Sequence, residues 1–251
     1  MLRLLQKQES VIDEFCERDV FGTRISAYYK TYGTAFPFAL FYLQETDGQI
    51  TAALCRIDGD MTLCCNDNSD FEEINEFISA IGYSSLLCDT GVCAKLKKMP
   101  IRSGLIVEFN DDRKIYNENY TDCIANSFDL SDIYDILNCS GFEGLADKSS
   151  WLSDVYIRLN HGTAYIAHTI ENGKTVACAM VLFETEKAAL IGAVATLPEY
   201  RGKGYASTLV DSLAKGMNKK GKRVELLCAN SSIINFYNKL SFYKTGEWAI
   251  V

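Results

Sequence analysis

No apolar run in this sequence approaches the roughly 18–20 residues that a helix needs to cross a bilayer. The longest, such as Ala188 to Ala195, fall far short. The N-terminal stretch MLRLLQKQESVIDEF is broken by charge every few residues and has no small-residue cleavage site, so it reads as a first helix rather than an export signal. The expectation is a cytoplasmic chain with no membrane partner. No C-x-x-C pair occurs among the ten cysteines, and the only histidines are His161 and His168. That inventory lacks the ligand spacing of a zinc site, so no metal is expected. In a reducing compartment a chain of this size needs no disulfide staples, and the cysteines are expected as small buried residues. A basic excess is missing too: the net charge of -8 argues against a nucleic-acid partner. No Pro-, Gly- or Ser-rich linker divides the chain.

What is present is material for a sizeable core, 251 residues of which 48% are apolar, on a scale of one to two domains. Charge is unevenly spread. Residues 1–118 carry 12 Lys and Arg against 19 Asp and Glu, and the remainder 13 against 14. Two units with different roles are expected, 1–117 and 118–251. In the second, apolar residues at helical spacing predict helices over Asp129 to Cys139 and Lys148 to Leu159. Strands follow at Thr163 to Ile170 and Thr175 to Glu184, joined by a turn containing Asn172-Gly173, a strong hairpin signal. The run Ala188 to Thr196 reads as a strand buried on both faces. After a glycine-containing loop comes a helix whose face carries Ala206, Leu209, Val210, Leu213 and Met217. A strand at Val224 to Cys228, a helix at Ser231 to Leu240 and a strand from Phe242 to Val251 complete a mixed α/β layer with one central sheet. The first half repeats this order: helices at Gln8 to Cys16 and Arg24 to Tyr32, strands at Phe38 to Gln44, Ile50 to Ile57 and Met61 to Cys65, a helix at Phe71 to Ala80 and a strand at Ser84 to Cys88. Where the second half has its glycine loop, the first has Asn66-Asp67-Asn68-Ser69-Asp70, acidic and without glycine. An internal duplication whose first copy lost its anion site accounts for both halves.

The loop Arg201-Gly202-Lys203-Gly204-Tyr205-Ala206 carries the chemistry. It is not a Walker A loop, because Leu197 stands where the first glycine is needed and Gly204 follows the lysine. Nor is it a dinucleotide fingerprint, because Ser207 holds the third glycine position. It still has the make-up of an anion site. Small residues let backbone N–H groups converge, the next helix presents its positive end, and Arg201 and Lys203 add charge.

Apolar strand, Pro198, loop, amphipathic helix, strand and the segment ANSSIINFYNKLSFYKTG together resemble the GNAT superfamily of N-acetyltransferases. Its Gln/Arg-x-x-Gly-x-Gly/Ala pattern is met by Arg201, Gly204 and Ala206. Its later pattern is met by Asn230, Tyr237, Lys239, Leu240 and Phe242, with Ser241 in place of the usual glycine. The resemblance covers roughly residues 119 to 251; over 1 to 118 it is an echo. It implies the acyl-CoA N-acyltransferase fold in two tandem units, acetyl-CoA as co-substrate, and direct transfer to a primary amine on a small molecule or peptide. It further implies that Val194, Ala195 and Thr196 pair with the pantetheine arm and that Arg201, Gly202, Lys203, Gly204, Tyr205, Ala206 and Ser207 hold the pyrophosphate, with Asn230 also at the coenzyme. Tyr237 becomes the general acid. Lys215, Lys219, Lys220 and Lys222 are candidates for the 3′-phosphate. Glu184, Glu225 and His168 are candidate bases, which the sequence does not rank. The acidic first half would favour a cationic acceptor. A chain that binds acyl-CoA as a sensor without turnover is the alternative, and the acyl length and oligomeric state stay open.

Overall fold

A computed structural model of the chain describes residues 1–110, 130–142, 145–229 and 231–251. Its strands are β1 (Leu2–Leu4), β2 (Ala39–Thr46), β3 (Gln49–Ile57), β4 (Asp60–Cys65), β5 (Ser85–Asp89), β6 (Arg102–Phe109), β7 (Tyr165–Glu171), β8 (Lys174–Glu184), β9 (Ala188–Thr196), β10 (Arg223–Cys228) and β11 (Phe242–Ile250). Its helices are α1 (Val11–Cys16), α2 (Val20–Tyr32), α3 (Phe71–Ile81), α4 (Thr90–Lys95), α5 (Leu130–Cys139), α6 (Lys148–Asn160), α7 (Tyr205–Lys219) and α8 (Ile234–Asn238). The order two helices, three strands, helix, strand, helix, strand therefore occurs twice, from α1 to β6 and from α5 to β11.

The residues form two compact units that are not successive in sequence. The first comprises Met1–Val107, Leu227–Ile233 and Lys244–Val251; the second comprises Glu108–Leu226 and Ile234–Tyr243. The boundary expected at 117/118 falls within 111–129, outside the described residues. In the first unit the strands run β1-β2-β3-β4-β5-β11-β6. The last strand of the chain is thus built into it, with Trp248, Ala249 and Ile250 antiparallel to Asp89, Cys88 and Leu87. Ala249 and Val251 join the core formed by Leu54, Leu63, Ile74, Ile78 and Leu86. In the second unit the order is β10-β9-β8-β7, a mixed sheet in which β10 and β9 are parallel and the others antiparallel. Its core on one face brings Leu130, Ile133 and Leu137 of α5 and Val155 of α6 against Ile166, Cys178, Met180 and Ala195. This is the mixed sheet flanked by helices that the sequence predicts.

The hairpin turns repeat in backbone detail. Asp47 and Gly48 have φ of 52° and 77°, and Asn172 and Gly173 have 52° and 76°. Both pairs adopt the left-handed conformations of a tight hairpin, for which Asp-Gly and Asn-Gly are favoured. The chain start departs from expectation. Leu2–Leu4 is a strand on the edge of β2, with Leu2 opposite Gln44, and helix begins only at Val11. The Leu2 amide donates to Glu73 Oε1 at 2.7 Å, a long-range contact that no local pattern announces. Helix α4 and strand β6 also lie in a stretch where the sequence gives no periodic signal. Among the described residues no helix is long and apolar enough to cross a membrane.

The helix expected over Ser231 to Leu240 is shorter, a 3-10 turn at Ser231–Ile233 followed by α8. It ends through Ser241, whose φ of 63° is the conformation that favours glycine. The serine thus preserves the turn that the glycine of the motif makes, at a steric cost of about 1–2 kcal/mol. Ser241→Gly is expected to stabilise the protein by about 1 kcal/mol after allowing for glycine's freedom in the unfolded chain. For this size that is a rise of about 2–4 °C in thermal midpoint. An unchanged or lower midpoint would mean that the buried serine side chain offsets the strain.

Candidate functional site

Strand β9 supplies an open edge. Its parallel register with β10 runs from Ala188 opposite Arg223 to Ile191 opposite Leu226 and then stops. On its other side β9 stays paired with β8 to Thr196, opposite Ala177. The cause of the split is a β-bulge. Cys178 faces Ala195 and Met180 faces Gly192, so Ala193 and Val194 together stand opposite Ala179 alone. Ala193 takes a φ of 49°, a positive value that is uncommon for a non-glycine residue. A bulge bends its strand and increases the local twist, here freeing the stretch Gly192–Thr196 from its parallel neighbour. Backbone amides and carbonyls along that edge are an acceptor for an extended, amide-containing ligand arm. Val194, Ala195 and Thr196, named from the sequence, all lie on it. The Thr196 hydroxyl oxygen is buried and has no hydrogen-bond partner among the described residues.

From Thr196 the chain passes through Leu197 and a 3-10 turn at Pro198–Tyr200 into the glycine loop. Gly202 and Gly204 have φ of 79° and 87°, and Gly204 is the residue that caps α7. No side chain caps this helix. The hydroxyls of Ser207 and Thr208 both donate to the Gly204 carbonyl, at 2.7 and 3.2 Å, instead of accepting from the first-turn amides. Among the described residues, none of the backbone N–H groups from Gly202 to Ser207 donates to a protein acceptor. Tyr205, Ala206 and Ser207 hold the first three helical positions, whose amides have no partner within a helix. Free donors at the positive end of a 15-residue helix form an anion site. A Cβ on Gly202 would meet nothing within 4 Å, so the space over the loop is open.

The homologous place in the first unit is closed. There the loop Asn66–Asp70 is three residues shorter than Leu197–Gly204, and α3 is capped by Asp70, whose carboxylate accepts from the Glu73 amide at 3.0 Å. The Asp70 amide donates to Gln44 Oε1 at 2.9 Å. Glu72 and Glu73 in the first turn add negative charge where an anion would have to bind.

Side chains around the second unit's loop are paired. Arg201 folds back, its Nε donating to the Thr196 carbonyl at 3.1 Å. Lys203 Nζ is 3.4 Å from Glu171 Oε1 and 4.9 Å from the Tyr200 ring centre. The Tyr205 hydroxyl donates to Glu171 Oε2. That hydrogen bond, with Lys203 behind it, holds the Glu171 carboxyl below the usual carboxylate range and raises the Tyr205 phenol. Lys174 pairs with Glu199 at 3.3 Å. The sequence reading missed Glu171; a charged residue beside a hairpin turn is ordinarily a solvated surface residue, and only the fold brings it to the loop.

Tyr237 lies on α8 in the same unit, 8% exposed, its ring against Phe236 and Phe242 at centroid distances of 5.0 and 6.0 Å. Asn230 lies outside the described residues. Glu184 stands opposite Ala189, three residues or roughly 10 Å from the Gly192 end of the free edge, and pairs with Lys222 at 3.2 Å. One expectation is corrected. The lysines named as candidates for the 3′-phosphate lie toward the C-terminal end of α7, where cations suit the helix dipole. Lys215 pairs with Asp211 at 2.7 Å, Lys220 approaches Glu184 at 3.9 Å, and Lys219 and Lys220 are roughly 20 Å along the axis from Gly204. Of the other candidate bases, buried Glu225 stands opposite Leu190, with Arg223 Nε at 3.0 Å. His168 is 5% exposed, with Nδ1 unpartnered among the described residues. It shares a cross-strand row with Cys178 and Ala195, two strand spacings or roughly 10 Å from the latter. No cluster of three or more metal-ligating side chains occurs among the described residues.

Residues 130–242 match the acetyltransferase (GNAT) family. A search of curated proteins returns no significant match. Solved structures resemble the chain over nearly its full length. A GCN5-related N-acetyltransferase from Sphaerobacter thermophilus aligns at 13% identity and a TM-score of 0.60, covering 99% of this chain and 94% of that one. A GNAT-family acetyltransferase from Colwellia psychrerythraea aligns at 13% identity and 0.57, covering 100% and 98%. A tandem GNAT protein from the clavulanic acid biosynthesis pathway aligns at 14% and 0.57, covering 100% and 97%. At these identities the likeness is one of fold.

Proposed function

This chain carries an acetyltransferase (GNAT) family domain at residues 130–242, and we propose that it is an N-acetyltransferase moving the acetyl group of acetyl-CoA directly to a primary amine. One observation carries the reading: in a single unit, a strand edge freed by a bulge leads straight into a loop of unpartnered backbone amides at a helix start. Coenzyme A joins two amides in an extended arm to a diphosphate, and the two surfaces complement it in that order. Acetyl-CoA supplies the activated acyl group. The edge of Gly192–Thr196 orients its arm and the amides of Gly202 to Ser207 neutralise its diphosphate. As the amine nitrogen bonds to the acetyl carbon and the C–S bond breaks, Tyr237 delivers a proton to the departing thiolate, and the proton shed by the nitrogen restores the phenol through solvent. A phenol near pKa 10 is protonated at neutral pH and ready for that role.

The acceptor must arrive as a neutral amine. For a lysine-like group of pKa about 10.4, loss of the proton at pH 7 costs roughly 4.6 kcal/mol. The excess of acid in residues 1–118 favours a cationic acceptor in the encounter. The test is a thiol-release assay with acetyl-CoA and a panel of small and peptide amines. Coenzyme release that depends on the amine, fastest for cationic acceptors and slowed by salt, is the expected result. Coenzyme binding without release across the panel would identify a sensor instead, and a flat salt response would remove the preference for cations.

A further inference from the structure

The tip of the β7–β8 hairpin meets the phosphate loop through charges of opposite sign. Glu171, the last residue of β7, engages Lys203 and the Tyr205 hydroxyl. Lys174, the first residue of β8, engages Glu199 in the 3-10 turn that precedes the loop. Glu171 and Lys174 face each other across the turn, and the same positions of the first hairpin are Thr46 and Gln49. The copy with a closed, glycine-free loop therefore has no ion pair across its turn, its one tip charge being Asp47 within the turn, and Thr46 lies 3.3 Å from the hydroxyl of Thr51. The facing charge pair and the open loop occur together.

Resting on the coenzyme reading above, we propose that Glu171 is an internal anion that occupies the loop's lysine and competes with the coenzyme diphosphate, setting the affinity of the site below what its backbone donors alone would give. Lys203 is held toward Glu171 and the Tyr200 face. A diphosphate at the amides of Gly202 to Ser207 brings like charge to Glu171 and draws Lys203 away from it. Both effects oppose tight binding by phosphate alone. The repulsion grows with the charge at the loop, so it weighs more on inorganic pyrophosphate and nucleoside diphosphates, whose terminal phosphate is further ionised, than on the doubly esterified diphosphate of coenzyme A, and Glu171 selects for the coenzyme. The carboxylate stays ionised through the neutral range because the Tyr205 hydroxyl and Lys203 lower its pKa. Glu171 and Lys203 side chains are 31% and 48% exposed, so the interaction is screened and salt-sensitive.

Glu171→Gln tests this, since it removes the charge and keeps an oxygen to accept from Tyr205. Calorimetric titration with coenzyme A should show roughly three- to tenfold tighter binding than wild type, the scale of one screened charge near a surface. The gain should shrink in high salt, and shrink to the part due to direct repulsion when Lys203→Met is added. Inorganic pyrophosphate, titrated in parallel, should show a larger relative gain than coenzyme A. Unchanged or weaker binding by Glu171→Gln, or matching losses in Glu171→Gln and Tyr205→Phe, would overturn the proposal and make the carboxylate a mere anchor for the loop. If wild type binds pyrophosphate with the expected Glu171 effect but ignores coenzyme A, the functional reading fails while the role of Glu171 stands. If coenzyme A binds and Glu171→Gln changes nothing, the reverse holds.

Discussion

Replacing Gly204 with valine is expected to weaken coenzyme A binding at least about 100-fold while leaving the fold in place. Gly204 has φ 87° and ψ 0° and is the hinge at which the loop becomes α7. A β-branched residue is a marked outlier there. Keeping the native backbone would cost about 1–3 kcal/mol. Relaxing it would turn the amides of Gly204 and Tyr205 away from a common point, and each hydrogen bond to a charged group is worth about 1.5–3 kcal/mol. Two such losses give the predicted factor. The added side chain has room in the free protein, where the nearest atom to a Cβ is Ser207 Oγ at 3.8 Å, so thermal stability should fall by only a few degrees. Calorimetry for binding and circular dichroism for the fold separate the two effects. Retained affinity in a folded variant would show that the loop is not where the diphosphate binds.

Tyr237→Phe is expected to lower the rate of acetyl transfer by roughly 10² to 10⁴ with little change in coenzyme affinity. Phenylalanine keeps the ring contacts with Phe236 and Phe242 that fix α8 against the sheet. The change removes the proton donor and keeps the ring packing. An unchanged rate would transfer the role of acid to another group. A collapse of coenzyme affinity would make Tyr237 a binding residue.

The two variants rest on features of very different visibility in the sequence. Strand β9 was legible to the residue, because a nearly continuous apolar run from Ala188 to Thr196 ends at a proline-containing turn. The Asn172-Gly173 turn and the start of α7 were legible for equally local reasons: left-handed backbone needs glycine or asparagine, and a buried helical stripe needs the spacing of Leu209, Val210, Leu213 and Met217. The bulge that opens β9 was not. Its positive-φ residue is Ala193, an alanine among alanines. Gly192 beside it is small for a different reason, since a Cβ there would lie 2.4 Å from Leu182 Cδ1.

Long-range placement was hidden in the same way. Nothing in Phe242 to Val251 announces that Lys244–Val251 belongs to the first unit, because pairing with Leu87 to Asp89 is a property of the tertiary fold. The pairing of Glu184 was hidden likewise, since only the fold brings Lys222 to within 3.2 Å of its carboxylate. The repeated order of elements was legible in the sequence. So was the contrast between the two loops, and the structure adds that Gln44 and Asp70 already accept from the amides of Asp70 and Glu73 in the first unit.

The most direct measurement is a titration of isotopically labelled protein with coenzyme A, followed by amide resonances and by heat. Saturation at one coenzyme per chain is expected, with the largest shifts at Gly202, Gly204, Tyr205 and Ala206, smaller ones along Gly192 to Thr196, and none at Asn66 to Glu73. Two equivalents bound, or shifts that bypass Gly202 to Ala206, would contradict the account.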